Sequence, residues 1–237
     1  MNYYVIILGV VVLVLLYFLY VNYISKTTVL NPLVNLNSSV NDIKYVDLVK
    51  RDSTRYSYGV WIYVNSWSSQ NLKPIISRGI STKQTELSGD LDFTLYLDNS
   101  SPSLKCMINS DPTTTTSITN RSIQPSIEIT NNFPIQKWTY VIVSVDNSII
   151  DFYLDGKLVL SRKLDYVPTR SSKDVSIGGT IRQDIFLANI VRNPYPIDPQ
   201  TAWNTYLSGN GQNNSSNLNI NLAVLQNNVE QKRFTLF

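Results

Sequence analysis

The chain has 237 residues, 20 Lys plus Arg against 17 Asp plus Glu, no His, one Cys and 16% charged residues. The lack of histidine excludes Ser-His and Cys-His nucleophile pairs, His-ligated zinc and an imidazole proton shuttle. A single cysteine, Cys106, excludes an internal disulfide, a Cys-x-x-Cys redox pair and a thiolate metal cage. A net charge of +3, of mixed sign even where charges crowd between Asp155 and Asp174, excludes a phosphate-tracking basic groove, so nucleic acid is not expected as a partner.

Tyr3 to Ile24 is an uncharged apolar run of 22 residues. As a helix rising about 1.5 Å per residue it would span roughly 33 Å, which matches a hydrocarbon core of about 30 Å. It lacks the basic flank and the small-x-small site of a cleaved signal peptide and exceeds the usual length of one. A single membrane-spanning helix with the lipid bilayer as partner is therefore expected, with Tyr3, Tyr4, Tyr17, Tyr20 and Tyr23 at the two interfaces. Lys26 follows directly and Lys44, Lys50, Arg51 and Arg55 come later, a weak bias that puts the main domain on the cytosolic side. Residues 26 to 41 read as a short polar linker.

Beyond the linker, short runs rich in Val, Ile, Tyr and Phe alternate with turn residues. Expected strands are Ile43 to Val49, Tyr56 to Val64, Pro74 to Ile80, Leu91 to Leu97, Ser103 to Ile108, Ser126 to Ile129, Trp138 to Val145, Ile149 to Leu154, Lys157 to Lys163, Val175 to Ile177 and Ile185 to Val191. This pattern predicts an all-β, two-sheet antiparallel sandwich over residues 42 to 209, long enough to bury a core unaided. Asp155-Gly156 is the two-residue connection of a hairpin, since both positions must take positive φ. Asp198-Pro199 opens one short helix, with an acid at the N-cap and proline at the first helical position, and Gly209 closes it. After a polar connector from residue 210, Leu218 to Leu225 and Val229 to Phe237 alternate about Gln226 to Asn228, which predicts a C-terminal hairpin docked on its own domain or on a neighbour's sheet edge.

Three segments carry a family likeness: Trp138 to Asp146, then Ile150 to Val159 with its Asp155-Gly156 turn, then Ser176-Ile-Gly-Gly179. Together they resemble the central signature of the concanavalin A-like (laminin G-like) lectin/glucanase superfamily. The helix from Asp198 to Leu207 resembles its closing helix, and Tyr58 to Val64 followed by Ile75 to Gly79 is similar to its paired front strands. The resemblance covers residues 40 to 209 and implies a jelly-roll sandwich. It does not select an activity, because the superfamily includes glycosidases, lectins, adhesion modules and structural domains.

Glycosidases of this fold need two carboxylates spaced as Glu-x-Asp-x-x-Glu, and neither Asp90-Leu-Asp92 nor Ser126-Ile-Glu128 supplies a properly spaced second Glu. No catalytic residue, no cofactor and no committed metal site are expected. Ligand contact, if any, falls to Trp67 in the polar loop Asn65 to Asn71 and to Asp90, Asp92, Asp98 and Asn99. Oxygen atoms from such loops also suit calcium, and the same residues are ordinary turn formers. Trp61, Trp138 and Trp203 are expected in the core, as is Cys106, whose thiol has no assignable base.

A low-charge, catalytically bare sandwich on an N-terminal anchor resembles minor capsid or virion membrane proteins of large icosahedral DNA viruses that carry an internal membrane. That resemblance implies a structural protein at the interface of virion membrane and capsid, with capsid or other structural proteins as partners. The alternative expectation is a membrane-tethered module that binds carbohydrate.

Overall fold

A computed structural model describes residues 3–19, 28–81, 89–109, 126–211, 221–226 and 229–235. The apolar run enters it as helix α1 (Tyr3–Leu19), 17 residues with neither an acid in its first turn nor a base in its last. Its large apolar side chains from Val10 to Phe18 are exposed. At about 1.5 Å per residue α1 is roughly 25 Å long, short of the expected 22-residue span. No helix among the described residues is long and apolar enough to cross a membrane. Tyr20 to Ile24, the remainder of the expected span, lies outside the described residues.

Strands β1 (Thr28–Asn35), β2 (Arg55–Val64), β3 (Lys73–Ser81), β4 (Gly89–Leu97), β5 (Leu104–Ile108), β6 (Ile127–Thr130), β7 (Thr139–Asp146), β8 (Ile149–Leu154), β9 (Lys157–Lys163), β10 (Val175–Ile177) and β11 (Ile185–Asn193) build a two-sheet antiparallel sandwich. One sheet has the order β1-β11-β2-β7-β8-β9 and the other β10-β3-β4-β5-β6. Helix α2 (Pro199–Leu207) follows, and a separate hairpin joins β12 (Asn221–Gln226) to β13 (Val229–Thr235).

Two expectations change. The stretch read as linker contributes β1, paired along its length with β11, and Val34 and Leu36 are buried. Pro32 obscures this strand in the sequence, yet an edge strand tolerates proline because one side of it makes no ladder. Conversely, Ile43 to Val49 is not a strand. Ile43 makes a single bridge to Val175, and a 3-10 turn, Tyr45–Asp47, follows. Asp174 causes the change of direction, since it accepts the Tyr45 N–H at 2.8 Å and pairs with Lys44 at 2.8 Å, and Lys50 then takes φ +44°.

The central strands of the larger sheet are buried on both faces. Val141, Val143 and Val145 of β7, with Val60 and Ile62 of β2 and Phe152 of β8, face the inter-sheet core. Tyr140 and Ile142, with Trp61 and Tyr153, point the other way into a second cluster with Ile197 and Ala202. Helix α2 covers that outer face, with Trp61 stacked between Tyr140 at 5.0 Å and Tyr206 at 5.6 Å. Trp203, expected in the core, remains 38% exposed. Asp198 caps α2 by accepting the Thr201 N–H at 3.0 Å, and Gly209 ends it with φ +76°.

Gly156 meets two demands at once. Asp155 and Gly156 have φ +46° and +76°, as the two-residue turn requires. A Cβ on Gly156 would also lie 3.0 Å from Trp203 Cε3 and 3.0 Å from Tyr206 Cβ, so the glycine makes room for α2. Gly209 has the same φ but open space around it. Gly156→Ala should therefore cost about 2–4 kcal/mol, from left-handed strain plus displacement of α2, while Gly209→Ala should cost about 1–2 kcal/mol from strain alone. Urea unfolding of the two variants side by side measures the difference.

Candidate functional site

The acidic residues singled out in the sequence do not converge. Asp92 receives Lys173 Nζ at 2.6 Å, and Asp98, six residues further along β4, receives Lys105 Nζ at 2.5 Å. Burial pushes the Asp98 carboxyl upward, but the Lys105 ammonium and the Asn99 N–H outweigh it and hold the group below the usual carboxylate range. Asn99 thus serves Asp98 through its backbone at 2.7 Å. Asp90 pairs with Ile80 through the backbone, and Glu128 is exposed on β6. Among the described residues no group of three or more His, Cys, Asp or Glu could hold a metal ion.

Trp67 is half-buried rather than displayed. Lys73 Nζ lies 4.1 Å from its ring centroid and donates to the carbonyls of Asn71, at 2.9 Å, and Ser68. Burial lowers the Lys73 pKa, with Asp98 opposing the shift. Trp67, Lys73 and Asp98 therefore mark one end of the smaller sheet as a packed, charge-compensated corner. Cys106 is fully buried, and desolvation raises its thiol well above the ordinary value, so it is a packing group. Trp61 is also buried, and Trp138, half-buried, lies 5.4 Å from the Tyr63 ring.

The cavity lies elsewhere, at the β10 edge. It is a groove of about 410 Å³ between the segment after β1, strand β3 and the loop from Gly178 to Gln183. Its apolar floor includes Leu36, Pro74 and Ile177, and Ser38, Ser176 and Thr180 supply hydroxyls. Asp42 and Arg182 contribute one charge of each sign. Backbone bonds hold the loop at both ends, from Gly178 N–H to Ile75 O at 2.9 Å and from Gln183 N–H to Leu36 O at 3.1 Å. Gly178 takes φ +78°, and a Cβ there would lie 2.9 Å from Leu36 Cδ2. Gln183 is 8% exposed, and neither its Oε1 nor its Nε2 has a hydrogen-bond partner in the protein.

Nothing in the local sequence around Gln183 marks it. The available signal was Gly178-Gly179 after the short strand β10, which carried the family likeness but not the cavity. The groove joins residues near 36–42, 74–79 and 176–183, and that assembly follows from sheet pairing.

A family profile described as the concanavalin A-like lectin/glucanases superfamily matches residues 37–190. The chain belongs to that superfamily. Among solved structures it is similar to Trypanosoma rangeli sialidase in complex with sialic acid, with 13% identity and a TM-score of 0.47 over 65% of this chain and 23% of the sialidase. It is also similar to the botulinum neurotoxin type G receptor binding domain, with 16% identity and a TM-score of 0.46 over 66% of this chain and 38% of that one. The chain thus spans less than a quarter of the sialidase and well under half of the toxin domain. Among curated proteins no match is found. The family assignment rests on the profile match and on the two-sheet architecture.

The Asp98–Lys105 pair generates a pH prediction. A carboxyl held low in the folded state contributes stability above its unfolded pKa, near 4, and loses it as pH falls through the lower folded value. Asp98→Asn should cost about 1–3 kcal/mol at pH 7, and the difference from wild type should shrink below about pH 4. Urea midpoints of both proteins from pH 7 to pH 2.5 test this.

Proposed function

We propose that this chain is a non-enzymatic, membrane-tethered module that recognises carbohydrate. The observation that carries the reading is the chemistry of the groove: neutral hydroxyls and an amide over an apolar floor, with Asp42 as a lone acid. Such a lining orients a ligand but supplies no second carboxylate to attack or protonate it. The acids that were candidates for chemistry, Asp92 and Asp98, are each neutralised by a lysine.

The tether rests on α1. An all-apolar helix exposed from Val10 to Phe18 is costly in water. With residues up to Ile24 continuing it, the segment reaches the length of a span. The competing scaffold reading, a link between a virion membrane and a capsid shell, rests on composition and anchor placement, and neither sheet nor groove favours it.

Two measurements test the proposal. The full chain should float with phosphatidylcholine vesicles on a density gradient, and Val12→Lys with Leu15→Lys should abolish flotation, because each charge at the centre of a span costs about 3 kcal/mol. The detergent-solubilised chain should show saturable binding to a subset of a glycan array. No glycan binding, together with copurification of shell proteins, would replace recognition by scaffolding.

A further inference from the structure

We infer that the groove beside Gly178 to Gln183 is a metal-independent subsite for one neutral saccharide unit, read by the Gln183 carboxamide through two adjacent hydroxyls. This rests on the carbohydrate reading above and adds the place and the contact. The argument begins with the amide. Gln183 is held in place by its own N–H bond to Leu36 O and by β11, which starts two residues later. Its side chain lines the groove with both polar atoms buried and without a protein partner. Groups of this kind are normally satisfied, and each one left unmatched costs about 1–3 kcal/mol.

The geometry of a carboxamide restricts what can satisfy it. It presents one acceptor and one donor side by side, so its partner must donate and accept at neighbouring atoms. A phosphate or carboxylate would meet the N–H but set a second electron-rich oxygen against Oε1, and an ammonium group would fail at Nε2. Two vicinal hydroxyls meet both atoms, since each hydroxyl can donate and accept. The rest of the lining agrees. Leu36, Pro74 and Ile177 offer an apolar surface to the C–H face of a pyranose ring, and Ser38, Ser176 and Thr180 can rotate their hydroxyls to the remaining ring substituents. Asp42 and Arg182 balance, which leaves the groove without a net preference for a charged sugar.

Calcium is not required by this arrangement. Asp42 is the one acid in the lining, too few oxygens of the kind that hold a hard cation. Gly179 completes the site. A Cβ at that position would lie 3.3 Å from Pro74 Cδ and 3.6 Å from Gln183 Nε2, so the missing side chain keeps the amide uncovered.

The experiment is titration of the full chain, in detergent, with the neutral glycan that gives the strongest array signal. Gln183→Leu and Gln183→Glu should each weaken binding about tenfold or more, the loss of roughly one well-made hydrogen bond. Gly179→Val, which leaves Gln183 in place and alters an exposed loop position, should weaken it as strongly. EDTA and Trp67→Ala should leave affinity within about twofold of wild type. Circular dichroism and a thermal melt identify any Gln183 variant that fails to fold, in which case Gly179→Val decides. Wild-type binding that survives Gln183→Leu, Gln183→Glu and Gly179→Val, or that EDTA abolishes, overturns the groove assignment and leaves carbohydrate recognition standing. A wild-type chain that binds no glycan overturns both.

Discussion

The larger sheet can exist only if both of its faces are covered. Alternation along β7 sends Val141, Val143 and Val145 to the inter-sheet core and Tyr140 and Ile142 to the opposite side, and Trp61 and Tyr153 join the latter. A sheet with one solvated face would carry polar residues there. Burying a large aromatic is worth about 1.5–3 kcal/mol, so an uncovered face bearing Trp61, Tyr140 and Tyr153 would offset much of what the sandwich core contributes. Helix α2 and the segment leading to it are the cover. That segment is fastened by hydroxyls pointing outward from the same sheet: Ser57 donates to Tyr195 O at 3.1 Å, and Ser144 accepts the Ile197 N–H at 2.9 Å. The turn glycine Gly156 belongs to the same requirement, because a side chain there would meet Trp203 and Tyr206.

Electrostatics explain why the fold is quiet as well as stable. Each of the strand acids Asp92 and Asp98 is bonded to one lysine, and two buried arginines act as loop clamps. Arg78 donates to Ser171 O and Lys173 O, both at 3.0 Å, and Arg192 donates to Val49 O at 2.7 Å. Both guanidinium groups also face tyrosine rings, Arg78 at Tyr45 and Arg192 at Tyr56. These cations hold the segments around residues 45–49 and 171–173 against the sandwich, which in turn places β10 and the groove loop that follows it. Reactive pairs of titratable groups, the usual signature of catalysis, are not what this framework assembles among its described residues. What it assembles is a cavity in which polar atoms await a neutral partner.

Much of this was legible from the chain because the information was local. Period-two alternation located β2 through β9, the positive-φ demand located the Asp155-Gly156 turn, and an acid followed by proline located the start of α2. The failures have a common cause in distance. Thr28–Asn35 reads as linker until β11 is beside it, because its pairing partner lies some 160 residues away and Pro32 disguises it. Ile43 to Val49 alternates like a strand but is turned aside by Asp174. Trp67 looks exposed in a polar loop, yet Lys73 from the following strand covers its ring. Gln183 has no local mark because its significance is negative: the partners that its neighbours find, it lacks.

The strand that sequence reasoning missed also fixes the relation between tether and groove. β1 begins at Thr28 and ends at Asn35, and Leu36, the next residue, is part of the groove floor. Eight residues of extended chain cover about 26 Å. With the apolar segment in lipid, β1 separates the membrane-proximal chain from the groove by up to that distance, and it does so as a rigid member of a six-stranded sheet rather than as a flexible stalk. Pairing with β11 fixes the position of Leu36 on the sandwich, because Leu36 N–H donates to Ile185 O at 2.9 Å and Leu36 O accepts the Gln183 N–H. The amide proposed to read the ligand and the strand that leads back to the tether therefore share a hydrogen-bonded residue, so the groove cannot shift relative to the strand without breaking the sheet.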